Sequence, residues 1–149
     1  YTLGQLITSL LFAAFTFDNI PTDTKPRLFR TLRDALRPTG RLVIIVSRPE
    51  IYWHEWASFS TKDFPENRAV QDGGRVRIIM LDVPDRRPVE DVVWSAQAYR
   101  RDFREAGLQV LETHQPLGRP SEPQPWVSEL TVAPWTIYVL GPADRVHAG

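Results

Sequence analysis

At 149 residues the chain has the size of one ordinary domain, and 42% apolar against 24% charged residues is the balance of a globular protein with its own core. The 18 basic and 18 acidic residues cancel, which leaves none of the basic surplus that marks a nucleic-acid binder and suits a small or neutral ligand. With no cysteine present, disulfides, thiolate zinc sites and cysteine nucleophiles are excluded together; the composition fits a reducing compartment, and a cytoplasmic location is expected.

The most apolar stretch runs from Leu6 to Phe17. It is too short to span a bilayer and lacks a basic leader, so no membrane partner is expected. Within it, Leu10-Leu11-Phe12-Ala13-Ala14-Phe15 is a continuous apolar run, the pattern of a strand covered on both faces. Asp18-Asn19-Ile20-Pro21 ends it. A helix follows, capped by Thr22 or Thr24, with Leu28, Leu32 and Leu36 as an apolar stripe beside Phe29 and Arg27, Arg30, Arg33 and Asp34 toward water. Pro38-Thr39-Gly40 is expected to stop it, with Gly40 as the permissive residue. Leu42 to Val46 is the second buried strand, completing a βαβ unit.

Residues 50–74 are irregular and aromatic. Val76, Ile78 and Met80 then alternate with Arg75, Arg77 and Ile79, and Val89 to Trp94 forms a second strand of a hairpin. A helix over Ala96 to Ala106 carries Tyr99, Phe103 and Ala106 inward and ends at Gly107. Leu108 to His114 is a strand, Pro116 to Pro125 a proline-rich loop, and Trp135 to Leu140 the last strand, with a frayed tail after Gly141. The order β-α-β, aromatic insertion with hairpin, α-β-loop-β predicts an α/β layered fold. His54, His114 and His147 are too scattered for a metal site, and no metal is expected.

Three segments resemble the C-terminal half of the class I S-adenosylmethionine-dependent methyltransferase domain. Phe15-Thr16-Phe17-Asp18-Asn19-Ile20-Pro21 resembles the loop after the family's fourth strand, beside the cofactor. Leu36-Arg37-Pro38-Thr39-Gly40-Arg41-Leu42-Val43-Ile44 is similar to its helix end, turn and fifth strand, with Thr39 replacing the usual first glycine. Phe103-Arg104-Glu105-Ala106-Gly107-Leu108-Gln109-Val110 resembles the helix end leading into its sixth strand. The resemblance covers most of residues 8–141. It implies the C-terminal half of a Rossmann-like sheet, parallel strands plus a terminal antiparallel strand, with an added β-hairpin. Residues 50–95 would form a substrate-covering cap within one partial domain over 1–149.

The family's glycine-rich turn has no counterpart: no glycine pair here has G-x-G spacing. Only one wall of the crevice at the sheet's switch point is therefore expected. The chain starts at Tyr1, and the expectation is a C-terminal portion inactive alone. The unpaired apolar edge of Leu10 to Phe15 should self-associate or pair with the missing N-terminal half.

The resemblance implies that Phe15, Thr16, Phe17, Asp18 and Asn19 contact S-adenosylmethionine, Asp18 also serving as a proton acceptor; Asp and Asn equally favour turns for local reasons. Tyr52, Trp53, His54 and Trp56 follow the fifth strand. Their aromatic faces attract cations, the sulfonium or a cationic substrate, and His54 titrates near neutrality as a base would; equally, the cluster packs a small satellite core. Phe64, Glu66 and Asn67 in the capping loop, and Trp126 and Glu129 before the last strand, are candidates for lining the substrate pocket, with packing or solvated roles as the alternative. Arg75, Arg77, Arg86 and Arg87 form an anion patch or a solvated face. The implied activity is methyl transfer to a small-molecule acceptor. The alternative is a noncatalytic methyltransferase-like module that associates with a partner chain.

Overall fold

The computed structural model describes residues 7–143. Strands β1 (Thr8–Ala14) and β2 (Leu36–Ser47) lie side by side in parallel, with Leu11 opposite Leu42 and Ala13 opposite Ile44. Their carboxyl ends therefore open at one end of the sheet, as the βαβ pattern predicts. Strand β7 (Trp135–Pro142) pairs antiparallel with the other side of β2, and β6 (Leu108–His114) pairs antiparallel with β7. The sheet order is β1-β2-β7-β6.

Helices α1 (Lys25–Asp34) and α2 (Ala96–Glu105) pack on the same face of this sheet. Period-two alternation places Leu42, Ile44 and Val46 of β2 on that face, with Tyr138 and Leu140 of β7. Phe29 stacks on Phe17 at 4.4 Å and meets Phe103 edge-on at 5.1 Å, which closes the core between the helices. Ser95 caps α2 by accepting from the Ala98 amide. Gly107 ends it at φ +74°, the left-handed conformation that glycine tolerates.

The insertion builds a second sheet, β3 (Phe59–Ser60), β4 (Arg75–Met80) and β5 (Val89–Val92), all antiparallel. Ile51, Tyr52, Trp56, Phe59, Val76 and Val93 form its separate core, the satellite core that the aromatic cluster allows for.

Several local expectations are corrected. Leu10 to Phe15 is not covered on both faces: Leu11 and Ala13 pack on the core, while Leu10 and Phe12 are 60% and 64% exposed. A continuous apolar run states how much surface wants burial, not whether a neighbour is present to bury it. Thr24 precedes α1 but makes no capping bond from its side chain; its hydroxyl turns to Asp23, and Pro26 supplies the pre-set φ of the first turn. The deepest residues of α1 are Lys25 and Phe29, with Leu28 and Leu32 only half-buried, because Phe29 points between the helices. Pro38 to Gly40 does not stop the helix, which ends at Asp34. These residues instead form an irregularity within β2, between the pairs Thr8–Leu36 and Leu10–Arg41. Gly40 is needed there for close approach: a Cβ would lie 3.0 Å from the Arg37 carbonyl oxygen. Strand β5 stops at Val92, two residues before the expected end. The short strand β3 was not foreseen. β7 runs on to Pro142, past its expected end at Leu140, and the Ala143 amide donates to the Gly107 carbonyl at 2.9 Å, so the tail expected to fray after Gly141 is held there; its remainder, 144–149, lies outside the described residues.

Candidate active site

Between the carboxyl ends of β1 and β2 and the cap lies a crevice of about 310 Å³. Phe15, Asp18 and Asn19 follow β1 on one side; Ser47 ends β2, and Ile51 and Tyr52 follow it; Ile78, Met80 and Asp91 reach down from the hairpin. Parallel strands end in a common plane, so the loops after them are the parts of the chain free to surround a ligand.

Asp18 is 3% exposed and holds this corner together. Its Oδ1 accepts from the Tyr99 hydroxyl at 2.6 Å and its Oδ2 from the Ser47 amide at 3.1 Å. Its carbonyl accepts from Trp94 Nε1 at 2.6 Å. Burial pushes the carboxyl above the usual carboxylate range, while the Tyr99 and Ser47 hydrogen bonds oppose that. Burial and the Asp18 charge likewise drive the Tyr99 hydroxyl far up, so Tyr99 remains a donor. This network ties the end of β1 to the end of β2 and to α2.

Tyr52 donates to Asp91 Oδ2 at 2.7 Å across the crevice wall. Burial first, and the Asp91 charge second, push its phenol far above the ordinary value. Asp91 Oδ1 takes the Val92 amide at 2.8 Å. Each of its oxygens thus keeps accepting capacity within a cavity whose other walls are mostly apolar.

The remaining sequence candidates separate. Phe15 lines the crevice at φ +54° with its ring edge on Trp135 at 5.5 Å, and Asn19 is exposed beside it. Phe17 is turned into the helix-side core and is 1% exposed, so its ring faces α1 rather than the crevice. Thr16 is exposed and bonds the Ala14 carbonyl. His54 does not line the crevice; its ring lies edge-on to Trp56 at 6.2 Å, inside the cap. Trp53 lines a different cavity, of about 320 Å³, with Arg48 and Gln97. Asn67 is buried and spends its amide on Tyr52 and Arg77 backbone groups. Phe64 lies beneath the Arg77 guanidinium, 4.6 Å from its ring centre, and Glu66 pairs with the same arginine. Trp56, Trp126 and Glu129 share a neighbouring pocket. Of the four arginines read as an anion patch, Arg75, Arg77 and Arg87 pair with Glu90, Glu66 and Asp85.

Asp91, Ile78, Met80 and Ser47 are crevice residues absent from the sequence candidates. For Asp91 a signal was present. Val89, Asp91 and Val93 fall on one face of the strand expected over Val89 to Trp94, and a lone acid on an otherwise apolar face is out of place unless something meets it.

No family model and no curated protein matches the sequence. Solved structures do. A protein from Listeria monocytogenes assigned as an S-adenosylmethionine-dependent methyltransferase superposes with a TM-score of 0.66 at 10% identity, over 97% of this chain and 65% of that one. The fold is that of a class I methyltransferase. An S-adenosylmethionine-dependent methyltransferase from Mesorhizobium loti gives 0.58 at 16% identity, over 91% of this chain and 62% of that one. The 1,6-didemethyltoxoflavin-N1-methyltransferase of Burkholderia thailandensis, solved with 1,6-didemethyltoxoflavin and S-adenosylhomocysteine, gives 0.50 at 12% identity, over 95% and 46%. Across eight such solved structures the chain spans 30% to 65% of their length. β1, β2 and β6 are the strands expected from the three sequence segments, and β7 is the expected terminal antiparallel strand. Among the described residues, no helix is long and apolar enough to cross a membrane.

Proposed function

We propose that this chain supplies the acceptor-side wall of an S-adenosylmethionine-dependent methyltransferase acting on a small molecule, and that it is inactive until an N-terminal half is joined to it. The observation that carries the reading is the parallel pair β1 and β2, ending together beneath an aromatic cap. The small-molecule acceptor is favoured by the mostly apolar crevice and by the ligand bound in the Burkholderia structure.

The residues present fit one side of the cofactor. Phe15 offers an aromatic face and Asn19 an amide at the end of β1, with Thr16 between them; Phe17 supports this loop from below. Bound there, S-adenosylmethionine would supply an electrophilic methyl group. Transfer from a sulfonium is an in-line displacement, so the protein's share is position and a dry site. Asp18 holds the crevice corner rigid through Tyr99 and Ser47. Asp91, fixed by Tyr52, is placed to accept a hydrogen bond or a proton from the acceptor. His54 and Trp53 act at most through the cap, and Tyr52 meets the acceptor directly.

The bare outer face of the sheet supports pairing with a partner that carries the other half, and it also favours the second reading, a noncatalytic module held by a partner chain. Calorimetric titration with S-adenosylhomocysteine separates the two. No heat of binding is expected for these 149 residues alone. Saturable binding is expected once a strand, glycine-rich turn and helix are joined on the N-terminal side. Micromolar binding to this chain alone would overturn the half-site reading; persistent silence after joining favours the noncatalytic module.

A further inference from the structure

Beside the crevice, between the cap and the loop before β7, lies a smaller cavity of about 180 Å³. Its walls include Trp56, Phe59, Trp126 and Trp135, and its polar groups include two carboxylates, Glu122 and Glu129. Among the described residues, no basic one lines it.

Glu129 is 7% exposed. Its Oε1 accepts the Ala57 amide and its Oε2 the Val127 amide, each at 2.8 Å. Those two bonds leave further accepting capacity on both oxygens. Among the described residues it forms no ion pair. The two amides satisfy hydrogen-bonding positions but bring no positive charge, so a cation in the cavity would meet an unneutralised carboxylate. Glu122 Oε2 accepts from Trp126 Nε1 and from the Arg119 amide, both at 2.8 Å, which fixes the Trp126 ring in the wall. Aromatic faces around a carboxylate are the surroundings that attract an organic cation.

We propose that this cavity binds the alkylammonium group of the substrate. It is smaller than the roughly 300 Å³ at which drug-sized pockets begin, and it has the scale of a head group rather than a whole ligand. It adjoins the crevice through Ser58, Phe59 and Trp135, which line both, so an amine seated here leaves the rest of the molecule in the crevice. The role as a substrate subsite rests on the methyltransferase reading; the ligand chemistry of the cavity does not.

The test is a tryptophan-fluorescence and calorimetric titration of the whole chain with choline and with its uncharged isostere, 3,3-dimethylbutan-1-ol. Choline is expected to bind saturably, and the alcohol at least about tenfold more weakly. Glu129→Gln should weaken choline about tenfold with an unchanged far-UV circular dichroism spectrum. Glu122→Gln, at an exposed position, should weaken it about threefold without endangering the fold. Equal binding of the alcohol, no choline binding, or unchanged affinity in both variants overturns the proposal and leaves Glu129 as a clasp for two backbone amides. S-adenosylhomocysteine binding in the N-terminally joined protein is a separate readout. Choline binding without it would remove the methyltransferase role and keep the cation site.

Discussion

On one face of the main sheet, Leu42, Ile44, Val46, Tyr138 and Leu140 lie beneath α1 and α2, each at most 2% exposed. On the other, Leu10 and Phe12 of β1 are 60% and 64% exposed, Leu111 of β6 is 40% exposed, and Val43, Ile45, Ile137 and Val139 are half-buried. The side chains on the two faces are alike. What differs is that α1 and α2, the two α-helices among the described residues, pack on one side. On the proposed reading this apolar face is the interaction surface, where the other half of a doubly covered sheet would sit.

Substitutions that contrast the faces put this to the test. Phe29→Ala, in the covered core, should lose about 3–5 kcal/mol in urea unfolding. A loss as large at Phe12 would erase the distinction between the faces. Tyr99→Phe should cost about 1–3 kcal/mol, since it leaves the buried Asp18 carboxylate without its shortest partner; a neutral result would show that the corner network is dispensable.

The covered face also contains a cation. Lys25 is fully buried, with its Nζ 3.5 Å from the Trp94 ring centre and 4.5 Å from that of Tyr99, and it has no hydrogen-bond acceptor among the described residues. Burial lowers its pKa from 10.5 to about 8, against the pull of Asp102, Asp18 and Asp72. Between those values the unfolded chain binds a proton that the native state has released, so the Lys25 contribution rises with pH across that window. Above about pH 10 the buried phenols of Tyr52 and Tyr99 oppose it, because the native state keeps protons that the unfolded chain loses. Urea midpoints should therefore climb from pH 8 toward pH 10, and Lys25→Met should flatten the climb. The smallest effect on stability is expected at the bare face. Phe12→Ser should change unfolding free energy by less than about 0.5 kcal/mol, yet reduce self-association in sedimentation; unchanged association would deny that face a role as a contact surface.

What the sequence settled by itself was local in origin. Alternation and apolar runs marked β1, β2, β6 and the hairpin, and the motif ending in Gly107 marked the end of α2. Together these elements were enough for the α/β class and the parallel pair, because side-chain period and turn chemistry are written in neighbouring residues. Only the tertiary structure decided which residues meet. Phe17 and Asp18 are adjacent in sequence, yet one ring enters the core while the other side chain joins the crevice corner. His54 stayed within the cap, and Asp91, 73 residues beyond Asp18 in the numbering, came to face the same space. Burial and long-range pairing depend on what lies opposite in three dimensions, and neither the strength of an apolar run nor the position of an acid along the chain contains that information.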